Sequence, residues 1–167
     1  DVYKRQFHRN SIGALPDSWG NVESIGSEAF KENMLRHIPD SWGKITSLEY
    51  NTFSQNMLAS IPASWGNITD IGYGAFSGNE LDSLPTSWGN VTSIGPSAFS
   101  SNGLTSIPDS WGNVTSIGKE AFYGNQLDVL PESWGKVTSI SKNAFQNSGI
   151  SNKYFSCLLY TSDAADD

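Results

Sequence analysis

The chain has 167 residues, a formal net charge of −7 and one cysteine. Ten Lys and Arg against seventeen Asp and Glu leave no clustered basic footprint for nucleic acid. A single thiol builds neither a disulfide framework nor a cysteine metal site, and no run approaches the roughly 18 apolar residues of a membrane-spanning helix.

In chain order, the first six residues, DVYKRQ, and the last eleven, CLLYTSDAADD, stand apart from what lies between them. A back-translation of DVYKRQ, read on the opposite strand one base in, encodes CLLYTS. Both ends are therefore expected to be one DNA element translated in opposite directions, resembling the transposase-end adapter of tagmentation sequencing. Residues 1–6 and 157–167 are accordingly set aside as adapter-derived and expected to pack poorly or not at all. Without them the chain holds 8 Lys and Arg and 13 Asp and Glu, a net charge of −5, and no cysteine, since Cys157 lies in the second segment.

The remainder, residues 7–156, is a repeat. Pro-x-Ser-Trp-Gly recurs every 23 residues, at Pro16, Pro39, Pro62, Pro85, Pro108 and Pro131, without insertion. A fixed period of this length predicts a solenoid. Phe7 to Leu15 is the second half of a truncated copy, because Phe7, Asn10 and Ile12 fall 23 residues before Phe30, Asn33 and Leu35. At the far end Ile150 keeps its column while Lys153-Tyr154 replaces the Ile/Leu-Pro pair, marking either a decaying last coil or a break. About six repeats, truncated at both ends, are expected to form a single body.

Within the copy Leu104–Gln126 the recurring apolar columns are Leu104, Ile107, Trp111, Val114, Ile117, Ala121 and Phe122. Their three- and four-residue spacings hint at a helix, but Pro108, Gly112 and Gly118 would break any helix beyond a turn or two. The β-branched stretch Val114-Thr115-Ser116-Ile117 favours a short strand, and stacked copies would set such strands side by side about 4.8 Å apart as a parallel sheet. No coil buries its apolar face alone; stacking does so, at about 1.5–3 kcal/mol per buried Ile, Leu, Phe or Val.

Two polar or amphipathic columns are read as structural ladders. Asn33, Asn56, Asn79, Asn102 and Asn125 each follow a Phe by three residues; at a tight turn such an amide must be satisfied, and bonds to the backbone of neighbouring coils would satisfy it. Trp19, Trp42, Trp65, Trp88, Trp111 and Trp134 are read as core stacking, each indole N–H needing a partner. A carbohydrate-binding aromatic strip is the alternative and requires exposed ring faces.

Asn125-Gln-Leu127-Asp-Val-Leu130-Pro131 resembles the NxLxxLP phrase of leucine-rich repeats, and Ile117-Gly118-Lys-Glu-Ala121-Phe122-Tyr-Gly-Asn125 resembles the IGxxAFxxC/N phrase of the BspA-like subclass, also built on 23 residues. The resemblance covers Phe7 to Ile150. It implies a leucine-rich-repeat solenoid: short parallel strands stacked into a sheet, with turns and short helical turns on the other face. The chain departs from the subclass in a shorter Leu104-Thr-Ser-Ile107-Pro108 and an added Trp-Gly-Asn, which leaves open whether LTSI or VTSI supplies the strand. Relatives of this type are bacterial surface or secreted proteins that adhere to proteins or cells, and they carry no catalytic residues to transfer.

The residues offer little chemistry of their own. His8 and His37 occupy non-equivalent positions without metal-ligand spacing and are read as surface residues. The column Asp17, Asp40, Asp109 and Glu132 could suggest calcium, but Ala63 and Thr86 interrupt it and an ordinary solvated turn is the preferred reading. No cofactor is expected. Asn67-Ile-Thr69, Asn90-Val-Thr92 and Asn113-Val-Thr115 match the glycosylation acceptor pattern, which matters only in a eukaryotic secretory host. The best guide to a ligand-facing surface is the set of columns that vary. These are Arg36-His37, Ala59-Ser60, Asp82-Ser83, Thr105-Ser106 and Asp128-Val129, with the pairs after Ile-Gly (Lys119-Glu120 and equivalents) and, beside them, the uniform Thr46, Thr69, Thr92, Thr115 and Thr138.

The expected function is a non-enzymatic adhesion or binding module of a surface or secreted protein, taking a protein or cell-surface ligand. A passive stalk, an accessory to a catalytic domain outside the chain, and an ice-binding Thr face are the competing readings.

Overall fold

The computed structural model describes residues 5–150. All of the segment 157–167, residues 151–156 with Lys153-Tyr154, and residues 1–4 lie outside the described residues. From residue 5 onward the backbone already keeps the coil register: Arg5 N donates to Ser27 O at 3.1 Å, although Arg5 and Gln6 are themselves exposed.

Each 23-residue unit makes one coil of a solenoid, and its apolar columns all turn inward. In the coil starting at Leu104, residues Leu104, Ile107, Trp111, Val114, Ile117, Ala121 and Phe122 are all buried. They join the same columns of the other coils in one continuous core. Five two-residue strands, β1 (Ser47–Leu48), β2 (Asp70–Ile71), β3 (Ser93–Ile94), β4 (Ser116–Ile117) and β5 (Ser139–Ile140), pair in parallel in the order β1-β2-β3-β4-β5. Their register equals the repeat, with Leu48 opposite Ile71 and Ile94 opposite Ile117.

Of the two candidate segments, VTSI supplies the strand. The LTSI segment pairs with its neighbour mainly through its leading residue, as where Glu80 N donates to Leu58 O at 3.0 Å and Gly103 N to Leu81 O at 2.8 Å. The proline four residues after each Leu has no N–H with which to continue the ladder. Instead it opens a tight turn, its carbonyl accepting from the Trp N three residues on at 3.0–3.5 Å. That turn is a 3-10 helix at Asp17–Trp19, Asp40–Trp42 and Asp109–Trp111, where an acid occupies the first turn, a placement the helix dipole favours.

The other half of each coil turns twice through the left-handed region. One column, Arg5, Glu28, Asn51, Gly74, Ser97, Glu120 and Asn143, has φ between 51° and 61°. A second, four residues on, comprises Arg9, Glu32, Gln55, Gly78, Ser101, Gly124 and Asn147, with φ between 55° and 68°. Glycine occupies only three of these places, so most coils carry a Cβ where the chain disfavours one. What holds them is a second backbone ladder. Gly74 N, Phe76 N and Gly78 N donate to Pro96 O, Ala98 O and Ser100 O at 2.8–2.9 Å. This ladder points toward the next coil, whereas the strand ladder points back: Thr92 N donates to Thr69 O at 2.8 Å and Gly95 N to Ile71 O at 2.7 Å.

Candidate functional site

The two ladders inferred from sequence are internal. Asn79 is buried; its Nδ2 donates to Phe76 O of its own coil and Phe53 O of the preceding one, each at 3.0 Å, and its Oδ1 accepts from Leu58 N at 3.1 Å. Asn56, Asn102 and Asn125 repeat the pattern. Asn33 does so against the half-coil before it, bonding Phe7 O and Phe30 O. Each amide is thus bonded to backbone through both its oxygen and its nitrogen and lies buried, out of reach of a ligand. Where the column changes to Ser148, the hydroxyl still donates to its own coil's Phe145 O.

Trp42, Trp65, Trp88 and Trp111 are at most 1% exposed, so they offer no ring face to a carbohydrate. Trp134 is also buried; Trp19 is 40% exposed. Trp19–Trp42, Trp65–Trp88 and Trp88–Trp111 stack at 5.9–6.0 Å. An unbroken Phe file, Phe7-30-53-76-99-122-145, stacks beside them at 5.4–5.8 Å. The indole N–H of Trp42, Trp88 and Trp111 donates to the carbonyl of the proline 26 residues earlier, at 2.9–3.4 Å. Those of Trp65 and Trp134 are buried without a protein partner, a departure from the uniform pairing expected.

The variable pairs after each Leu face solvent, whereas in the pairs after Ile-Gly the second position turns inward at Glu28, Asn51 and Gly74, where the backbone passes through the left-handed turn. Arg36-His37, Ala59-Ser60, Asp82-Ser83, Thr105-Ser106 and Asp128-Val129 are all exposed, so these ten positions differ where no packing constrains them. Beside the strands, Thr46, Thr92, Thr115 and Thr138 are exposed and Thr69 half-buried. Their hydroxyls are engaged: Thr92, Thr115 and Thr138 each donate to the preceding Thr carbonyl at 3.1–3.3 Å, and Thr69 gives its one proton to Asp70 Oδ2 at 2.6 Å. The file therefore presents methyls and acceptor lone pairs outward.

A feature not singled out from sequence lies in the column after Ile-Gly. Tyr50 and Tyr73 are 47% and 46% exposed, and their rings stack at 5.0 Å and 20°. They are 23 residues apart, so only alignment of the copies would have revealed the pair. Glu49 precedes Tyr50, and its carboxylate accepts from Ser27 N at 2.9 Å and Ser27 Oγ at 2.7 Å.

Charge concentrates on the first turns. Arg5 pairs with buried Glu28, Arg9 with Glu32, and Lys31 lies 3.6 Å from both carboxylates. Burial pushes the Glu28 carboxyl up, but the hydrogen bond and charge of Arg5, with Lys31 and His8, outweigh it and hold the group below its ordinary range. The hydrogen bond from Arg9 does the same for Glu32 against partial burial. Among the described residues no group of three or more His, Cys, Asp or Glu is arranged to hold a metal. Asp17, Asp40, Asp109 and Glu132 are exposed turn residues. No helix among the described residues is long and apolar enough to cross a membrane.

Comparison with known proteins agrees with this geometry. No curated protein matches the chain. A solved leucine-rich repeat protein of Leptospira interrogans superposes with a TM-score of 0.50 at 18% identity over 84% of this chain. The chain spans 41% of that protein's length, and at this identity the likeness concerns fold. The model of the BspA type leucine-rich repeat region matches residues 7–128 in six copies. With one coil per 23-residue copy, a parallel strand in VTSI and buried Asn and Phe files, the chain belongs to the BspA-type leucine-rich repeat family.

Proposed function

We propose that the chain is a non-enzymatic recognition module of a cell-surface or secreted protein. One observation carries this reading: the columns facing the core barely vary between copies, while the exposed pairs after each Leu change from coil to coil, through Arg36-His37, Asp82-Ser83, Thr105-Ser106 and Asp128-Val129. A solenoid presents such columns as one extended rigid surface, which suits a protein or cell-surface ligand better than a small molecule. The net charge of −7 opposes nucleic acid. No cofactor is needed for recognition of this kind.

The test is retention on a panel of immobilised extracellular proteins and on intact cells, comparing the chain with a triple variant Arg36→Ser, Asp82→Ser, Asp128→Ser. Specific retention lost in the variant, with an unchanged thermal melt, is the expected result. Absence of specific retention would favour a passive stalk, and specific retention indifferent to the triple change would move the recognition surface away from these columns. The stalk reading draws on the Thr file, whose hydroxyl protons are engaged within the stack.

A further inference from the structure

We infer that Tyr50 and Glu49 form a seat for an arginine side chain of a protein partner, an anchor point on the recognition surface; this rests on the binding-module reading. Tyr73 covers one face of the Tyr50 ring at 5.0 Å. The opposite face points along the stack toward the preceding coil, where the column holds Ser27, a side chain too small to cover it, and Tyr50 stays 47% exposed.

The carboxylate is already in place at that face. Glu49 Oε2 accepts from Ser27 N and Ser27 Oγ, which holds the negative charge beside the space above Ser27. Asp70 belongs to the following coil, opposite Ser47 across the β1–β2 pair, on the side that Tyr73 already covers. Its Oδ2 accepts from Thr69 Oγ1 at 2.6 Å. Among the described residues both acids have neutral partners only, unlike Glu28 and Glu32, which are ion-paired. The open patch is thus an aromatic face edged by one carboxylate, that of Glu49, which has no ion-pair partner among the described residues.

A guanidinium fits that combination. It is planar, stacks on an aromatic ring and forks onto a carboxylate at once, and the second tyrosine pre-orders the first, so little side-chain freedom is lost on binding. The chain shows the same pairing twice, where the Arg5 and Arg9 guanidiniums of one coil meet Glu28 and Glu32 of the next. An exposed tyrosine pair is also the kind of anchor that dominates protein interfaces.

The test is fluorescence anisotropy with a labelled glycine–serine peptide bearing three arginines, against the same peptide carrying lysine or citrulline. Saturable binding is expected in the order arginine, lysine, citrulline. Tyr50→Ser, which places the Ser27 residue type in the same column, and Glu49→Gln should each weaken the arginine peptide about tenfold. Asp109→Asn, on a different face, should change it less than about twofold. No saturable binding, equal binding of the citrulline peptide, or equal losses with Asp109→Asn would overturn the seat. If extracellular ligands are retained through the Arg36, Asp82 and Asp128 columns while Tyr50→Ser has no effect on them, the seat fails and the recognition module stands.

Discussion

The coils from Trp65 to Phe122 and the coil at Trp19 share one residue plan but reach different ends. In the central coils the Trp and Phe columns are wholly buried. At Trp19 the same side chain is 40% exposed. It borders an apolar cleft of about 490 Å³ lined by Phe7, Val22, Ile25, Phe30 and Trp42 among others. The residues are equivalent; the neighbours are not. Burial in this fold is a property of the junction between coils, and an identical side chain contributes according to what stacks on both of its faces.

Mutations can sharpen that contrast. Trp88→Ala, in a fully packed position, should cost about 3–5 kcal/mol, read from urea unfolding, while Trp19→Ala should cost about 2 kcal/mol, because part of its transfer term is already lost to solvent. Equal losses would show that junctions do not set the energetics. Next, Asn79→Ala strands the buried Leu58 N–H, while Phe53 O and Phe76 O keep their bonds from Asn56 and Asn102, and should cost about 2 kcal/mol. Asn10→Ala, whose exposed Nδ2 bonds His8 O at 3.1 Å, should cost about 0.5 kcal/mol.

A smaller effect of opposite sign is expected at the left-handed turns. Ser101→Gly, at φ 56° in a column where Gly78 and Gly124 already sit, should raise stability by about 0.5–1 kcal/mol.

The last prediction concerns pH. Glu28 and Glu32 titrate below their ordinary value of 4.5 in the folded chain. Their contribution is therefore full above that value and lost as pH falls through the lower folded range. The melting temperature should show an acid-side decline that is shallower in a Glu28→Gln, Glu32→Gln double variant. A decline of the same depth in that variant would remove these groups as the cause.

The period, the buried columns and the Asn ladder could be read directly because each rests on side-chain identity recurring at fixed spacing. The left-handed turns could not. Arg, Glu, Gln and Ser fill most of those positions; of the types present besides glycine only Asn favours positive φ, and it recurs too rarely to mark a column. The strand segment was ambiguous because LTSI and VTSI share composition. Only the next residue separates them, a proline after LTSI and a residue with a free N–H after VTSI. Similarly, Tyr50 and Tyr73 look unrelated in the linear chain, and nothing in the repeat's residue types distinguishes the unmatched indoles of Trp65 and Trp134 from the matched ones.

The opposed directions of the two backbone ladders have an electrostatic consequence. In an α-helix every peptide dipole points the same way and the charges accumulate at the ends. Here the N–H groups of the Thr and Gly columns aim at the preceding coil and those of the Phe turn aim at the next one. At the junction joining the Gly74 and Pro96 turns, forward donors from Gly74, Phe76 and Gly78 are met by backward donors from Thr92, Gly95 and Gly103. Peptide dipoles on opposite sides of the coil therefore oppose one another. A stack of this kind lengthens by whole coils while building far less polarity along its axis than a helix does, leaving the potential at each exposed column mainly to the side chains that occupy it.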